Sequence, residues 1–329
     1  MKTLSQNLPE MVDIYAKLFD AENAKTPANR LAELAEDAGL DIRMAVASNR
    51  STPLSALVAL SKDESSHVRV RVASHANQSA TLREVLARDP ASHVRYAIAK
   101  HPKASLSILE ELARDPQESV RCAVASREDA PPCMLDALSA DADKYVRAAV
   151  ASNPNLSLSR IHALASETDW YLRCKTAYNS SAPPALLELL AADENKHVRA
   201  AVAANAQTPY AILALLAEAP DVLVRWSVAT NPRTPLAVLE RLAVDADSDP
   251  PFYVASHPNV SLALLTKLAK HSHTHVRAKV ADNLRTPFSI LQQLASDSEH
   301  QVRLAVARNP TAASLRGSLA EDLAIEDAD

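Results

Sequence analysis

The apolar positions of this chain return every 26 residues. An aliphatic residue followed by arginine, Ile42-Arg43, comes back as Val68-Arg69, Val94-Arg95, Val120-Arg121, Val146-Arg147, Leu172-Arg173, Val198-Arg199 and Val224-Arg225. It is missed once, then resumes in register at Val276-Arg277 and Val302-Arg303. Each unit reads V-R-x-A-V-A-x-N-P-x-T-P-x-x-x-L-x-x-L-A-x-D-x-x-x-x, without insertions. Self-similarity at this period predicts a stacked repeat array, in which each unit buries its apolar face only against its neighbours.

Within a unit the spacing is helical. Leucines at 60, 86, 112, 138, 164, 190, 216, 242, 268 and 294 join partners such as Leu57, Leu109, Leu135 and Leu239 in the stripe of an amphipathic helix. The alanine that follows (Ala87, Ala113, Ala165, Ala191) allows close approach of neighbouring helices. Thr-Pro at 26–27, 52–53, 208–209, 234–235 and 286–287 predicts the start of this helix, with threonine as N-cap and proline as first helical residue. Where that proline is absent, Ser79, Ser105, Ser157 and Ser261 are the expected caps. A second, shorter element of about eight residues runs from Val-Arg to Asn-Pro and predicts an α turn or 3-10 helix. Its inward positions are Val46, Val72, Ile98 and their repeats, and the following position is alanine in every unit from Ala47 to Ala307. A half unit, 26–40, precedes the first full one, and residues 8–19 read as an amphipathic cap helix.

Two polar columns repeat with the core. Asparagine fills one at 49, 153, 179, 205, 231, 283 and 309, with His75, His101, His257 and Arg127 in the remaining units. It reads as a ladder bonding the orphaned backbone groups of helix ends. In the other, an acid precedes the repeating arginine by six positions, as in Asp63–Arg69, Asp89–Arg95 and Glu167–Arg173. Because an acid accompanies almost every arginine, a charge ladder tying consecutive units is favoured over a track for phosphates.

Composition narrows the function. Two glycines and 4% aromatic residues suit stacked helices and exclude a glycine-rich phosphate loop. The net charge of −5 equals the charge of the tail after Leu319, so the repeat body is neutral and bulk charge points to no nucleic acid or membrane. No segment has the apolar run of a secretory signal or a membrane span. Cys122, Cys133 and Cys174 form no paired motif, which fits a reducing cytoplasm. His271, His273 and His275 lack a carboxylate or cysteine partner for a metal. No catalytic residue, metal or cofactor is expected. The expected organisation is a cap helix at 1–25, one solenoid domain at 26–316 and an acidic tail at 317–329.

The motif VRxAVAxNPxTPxxxLxxLAxD, clearest at 224–245 and covering about 26–316, resembles the leucine-rich repeat variant family, an α-solenoid class related to HEAT repeats. The resemblance implies an all-α, right-handed superhelical solenoid of about ten 26-residue repeats, each a longer α-helix plus a short α or 3-10 helix. One member of that family holds an iron–sulfur centre on an N-terminal cysteine cluster. The first 121 residues here contain no cysteine, so that cofactor does not carry over. HEAT-like proteins mostly bind other proteins, and a minority, including alkylation-repair DNA glycosylases, grip DNA.

Departures from the repeat mark candidate sites. One unit has Lys175, Thr176, Tyr178 and Ser180-Ser181 after Trp170-Tyr171, and another replaces Val-Arg with Pro250-Pro251 before Phe252-Tyr253, a pair that must alter local backbone. The third and seventh positions of a unit share one side of the second helix, which by the resemblance lines the concave surface. These positions, with the two departing units, select Tyr96, Lys100, Lys175, Tyr178, Trp226, Phe252, Tyr253 and Arg308 as partner-binding residues. Arg71, Lys175 and Lys279 also replace alanine, 104 residues apart. The function expected is a non-catalytic scaffold binding a protein or peptide in its groove. The alternative is a nucleic-acid binder contacting phosphates through groove arginines and lysines.

Overall fold

The computed structural model describes residues 4–319, which form α-helices and one terminal 3-10 helix, with no strand among the described residues. The chain is a helical repeat solenoid that clusters into two compact units, Met1–Leu156 and Ser157–Asp329. The acidic residues from 320 onward lie outside the described residues.

In the first unit, Leu4–Glu22 packs on Leu40–Ser48, and the second helices Ser66–Ala73, Ser92–Lys100, Glu118–Ala125 and Lys144–Ala151 follow in a stack, each on its predecessor. In the second unit the same stack runs through Trp170–Tyr178, Lys196–Ala204, Val222–Thr230, Asp249–Ser256, Thr274–Asp282 and His300–Arg308, and is closed by the 3-10 helix Pro310–Leu319. The first helices form the other layer. The core is the predicted one: Val46, Val72, Ile98, Val202 and Val228 are fully buried, as are Leu57, Leu135 and Leu187.

The two helices of a unit are closer in length than their sequences suggest. First helices such as Leu54–Leu60 have seven residues, and the second helices are α-helical with eight or nine. The tightened turn sits instead at the end of the first helix, where Lys62 N–H bonds to Ala59 O at 3.0 Å and Asp63 N–H to Leu60 O at 3.1 Å. The starting signal is also built differently. Pro53, at φ −68° and ψ 152°, is the N-cap residue, not the first helical one. The Thr52 hydroxyl points back and donates to the Val46 carbonyl at 2.6 Å, closing the preceding helix, as Thr208, Thr234 and Thr286 do in their units. Threonine thus satisfies a C-terminal carbonyl that would otherwise be orphaned. Where serine replaces proline it does cap: Ser79, Ser105 and Ser261 accept from the N–H three residues on. The Ser157 hydroxyl meets Ser159 instead, at 3.3 Å.

The asparagine column is a ladder between units. Asn231 Nδ2 donates to the carbonyls of Ala203 (2.7 Å) and Asn205 (2.9 Å) in the preceding unit, and its Oδ1 accepts from Arg233 N–H at 2.9 Å. Asn49, Asn153, Asn205 and Asn309 repeat the pattern. His257 keeps one rung: Nδ1 accepts from Asn259 N–H at 3.0 Å, so Nε2 carries the proton and meets Asn231 O at 2.8 Å. Arg127 spans Ala99 O and His101 O with one nitrogen and pairs with Asp129 through the rest of its guanidinium.

The arginine ladder also ties units, with a different partner from the one its spacing suggests. Arg69 Nη1 donates to the backbone carbonyl of Asp63, six residues before it, at 2.8 Å. Its carboxylate partner is Asp89, 20 residues ahead, gripped at 2.7 and 3.0 Å through Nε and Nη2. Arg43–Asp63, Arg95–Asp115, Arg121–Asp141, Arg173–Asp193, Arg225–Asp245 and Arg277–Asp297 match it. Residue 219 is alanine, so Arg199 reaches Asp221 instead, at 2.6 Å. Burial alone would raise the pKa of Asp115, but Arg95, the Gln117 N–H and nearby Arg121 hold it below the usual carboxylate value.

The same register explains the ends and the interruption. Lys17 pairs with Asp37, 20 residues on, at 3.3 Å, and Ala21 O and Asn23 O receive Asn49. The C-terminal half of the cap helix is therefore a repeat element whose lysine hides it from the Val-Arg pattern. At the interruption Pro250 and Pro251 occupy the first turn of Asp249–Ser256, where no N–H is needed, and Ser248 before them is helical (φ −75°, ψ −19°). Pro251 supplies no arginine, and the residue 20 positions ahead is His271, not aspartate. His271 Nδ1 still accepts the turn N–H of His273 at 3.2 Å, the bond an aspartate makes elsewhere, so no carboxylate is stranded.

Three outcomes follow from these ladders. Asn231→Ala should cost about 2–3 kcal/mol in urea unfolding by orphaning two carbonyls and an N–H, with Asn231→His losing less than half of that. Burial lowers the His257 pKa from 6.5 despite its bond to Asn231 O. The unfolded chain therefore protonates first, and this contribution to stability is full above about pH 6.5 and drains away as pH falls toward the lower folded value. His257→Asn should flatten that part of the stability–pH profile. Pro251→Arg and His271→Asp together should rebuild the missing rung, giving a favourable coupling of about 1 kcal/mol or more in a double-mutant cycle.

Candidate functional site

Once the core and the ladders are formed, little of each second helix is left for a partner. The exposed or half-exposed positions are the residue before the valine and the third, fourth and seventh residues of the unit. The repeating arginines beside them are half-exposed, but their polar atoms are already taken. In Arg69, Arg95 and Arg121 the Nε, Nη1 and Nη2 atoms all bond within the protein, and their side chains are 13–16% exposed. A guanidinium so engaged has no free fork for a phosphate.

In the first unit this face is hollowed into three adjoining cavities. One of 540 Å³ lies over Ser66–Ala73 and Ser92–Lys100 and is lined by Met44, His67, Arg71, His93, Tyr96 and Lys100, among others. One of 510 Å³ lies toward the cap helix, against Leu18, Glu22 and Asp41, and one of 370 Å³ lies at Arg50 and Asn77. Arg71 lines all three. Tyr96 and Lys100 lie together as their spacing suggests, with Nζ 5.6 Å from the ring centre. The His67 and His93 rings are 6.1 Å apart.

In the second unit the departures from the repeat gather into two aromatic clusters. Lys175 Nζ sits 5.2 Å from the Tyr171 ring, and Trp170 is 5.2 Å from His197. Tyr178 stands exposed at the seventh position, four residues from buried Cys174. Thr176, which replaces the core valine, is fully buried because its hydroxyl donates to Leu172 O at 2.9 Å. The larger cluster crosses three successive second helices. Trp226 lies 5.0 Å from Tyr253, which is edge-on to Phe252 at 5.3 Å. Phe252 meets His275 at 5.9 Å and Lys279 Nζ at 5.3 Å. All three aromatic residues of this cluster are half-buried. Arg308 is exposed on the last second helix, separate from these ring contacts.

His271, His273 and His275 stack in sequence at 5.5 and 5.6 Å. Among the described residues no group of three histidine, cysteine or acidic side chains is placed to hold a metal ion. No helix among them is long and apolar enough to cross a membrane. Trp226, Phe252 and Tyr253, singled out by their departure from the repeat, lie together, whereas sequence reasoning gave no weight to Arg71, His67 and His93. The signal for Arg71 was present, a charge where the column is alanine, but only the fold shows three cavities meeting on it.

No family model matches the chain, and no curated protein does. Among solved structures the chain is similar to a leucine-rich repeat variant described as having a novel repetitive protein structural motif. The two are 29% identical over 67% of this chain and 87% of that one, with a TM-score of 0.46. It also matches an engineered protein at 17% identity and TM-score 0.30, covering 88% of this chain and 92% of that one. A third match is a structure of a Kap95p complex with RanGDP, at 14% identity and TM-score 0.31, covering 93% of this chain and 48% of that one.

Proposed function

We propose that the protein is a non-catalytic scaffold that binds a protein or peptide segment on the exposed face of its second helices. The row formed by Trp226, Tyr253, Phe252 and Lys279 carries this reading. Tyr253 and Lys279 stand at the fourth position, which is alanine in most units, and with Trp226 and Phe252 at the variable third position they form a half-buried patch of the kind that anchors protein partners. The engaged arginine ladder argues against a continuous phosphate track and so against the nucleic-acid alternative. The three cysteines are free thiols, which supports a reducing, cytoplasmic setting.

Selection from a displayed random-peptide library tests the proposal. Recovered peptides should bind the wild type, and Trp226→Ala or Phe252→Ala should weaken at least one class of them tenfold or more, about 1.4 kcal/mol, with helicity unchanged by circular dichroism. Tyr178→Ala should weaken peptides that contact its unit in the same way. A large fall in melting temperature for Trp226→Ala would make that ring core, not surface. Failure to recover any peptide, with steeply salt-dependent binding to random-sequence duplex DNA or single-stranded RNA, would overturn the reading in favour of nucleic acid.

A further inference from the structure

One cavity on this face is lined by residues outside the aromatic row. It is the 540 Å³ hollow of the first unit, over Ser66–Ala73 and Ser92–Lys100. Its charged groups are Arg71 and Lys100, and no carboxylate lines it. Among the described residues neither cation has an ion pair, whereas most arginines of the chain do: Lys100 lies only against the Tyr96 ring. The remaining wall is mostly apolar, including Met44, Val70 and Tyr96.

We propose that this cavity binds a side-chain carboxylate of a peptide segment, held by Arg71 and Lys100, with a neighbouring apolar side chain of the peptide against Met44, Val70 and Tyr96. The inference rests on the scaffold reading and names the chemistry of one partner site.

Three observations support it. First, the positive character extends behind the wall. Arg83 replaces a core leucine in the first helix beneath, is 9% exposed, and donates to Gln78 O at 2.8 Å, with its Nε unpartnered. Burial, then the charges of Arg83, Lys103 and Arg127, depress the pKa of His101, which lines the cavity. A cation enclosed without a carboxylate raises the potential on this one unit, and an anion on the surface relieves it.

Second, Arg50 extends this positive field at the adjoining turn, but carboxylates bound it along the stack. Arg71 also borders the next cavity, where Glu22 and Asp41 stand. On the other side the second helix begins with Glu118, and its arginine is bound to Asp141. In duplex DNA each strand carries a phosphate about every 3.4 Å of helix axis. Stacked helices are about 10 Å apart, so a strand along this face would bring several phosphates against those acids. A peptide with one acidic side chain, and a basic one roughly a unit away toward Glu22 and Asp41, meets no such repulsion.

Third, the geometry joins charge to grip. Tyr96 is 37% exposed beside Lys100, and a ring next to a cation suits a short segment with adjacent acidic and apolar side chains.

The test uses the full chain and the displayed peptide library. Wild type should enrich peptides with aspartate or glutamate beside an aliphatic or aromatic residue. A labelled peptide from that pool should lose about tenfold in affinity when its acid becomes the amide, and as much on Arg71→Glu or Lys100→Glu. On the Arg71→Glu protein, exchanging the acid for lysine should restore binding, a rescue that a misfolded variant could not give. Trp226→Ala should leave these peptides bound. Peptides recovered without acidic enrichment, and held equally by Arg71→Glu, would overturn the cavity assignment and leave the scaffold standing. Recovery of no peptide, with salt-dependent RNA binding that Arg71→Glu abolishes, would overturn both.

Discussion

The fold depends on one recurring bond: a side chain at the end of a second helix donates to carbonyls at the end of the second helix before it. Helix ends leave carbonyls without partners, and a stack of short helices has many such ends in its interior. Asn231 satisfies two of them and one turn N–H with a single buried amide. Side chains that replace asparagine keep the same function, histidine with a donor and an acceptor on opposite sides of its ring and Arg127 with one guanidinium nitrogen that covers both carbonyls. The alanine two positions earlier, fully buried at 47, 73, 99 and 203, leaves room for the approach.

The arginine–aspartate ladder is the second constraint, at the edge of the stack. It pairs charges that are mostly shielded, and each arginine also bonds two backbone carbonyls, so the geometry compensates desolvation. Its interruption is orderly. Where Pro251 removes the cation, His271 stands in for the anion and keeps the turn bond. Complete rungs, as at Arg69, Arg95 and Arg121, bear on function, because a charge already engaged on every side is not available to a ligand.

What is available is therefore sparse and local. Cations at the fourth position, Arg71, Lys175 and Lys279, depart from a mostly alanine column, as Ser227 and Tyr253 also do, and the two lysines each lie over an aromatic ring. Arg71 opens into cavities instead. Large side chains placed on small-residue positions raise local relief on an otherwise even surface, and in a repeat protein such relief distinguishes one unit from the next. Specific recognition by a repetitive scaffold has this physical origin: the common columns hold the stack, and the exceptional residues differentiate its surface.

The sequence by itself determined the period, the buried columns and the capping role of the asparagine column, because each follows from helical spacing and the unmet bonds of helix ends. It misassigned what depends on the neighbouring unit. The acid six residues before an arginine offers its backbone carbonyl, and the acid 20 residues ahead offers its carboxylate, because stacking makes the next unit nearer to the guanidinium fork. Threonine before proline closes the preceding helix, since its hydroxyl faces the Val46 carbonyl that the chain has just left. The cap helix joins the stack through Lys17 and Asn49, a pairing invisible without the neighbour. The cavities around Arg71 belong to the same class: a hollow is a property of adjacent helices and of the side chains each withholds, and only tertiary packing decides it.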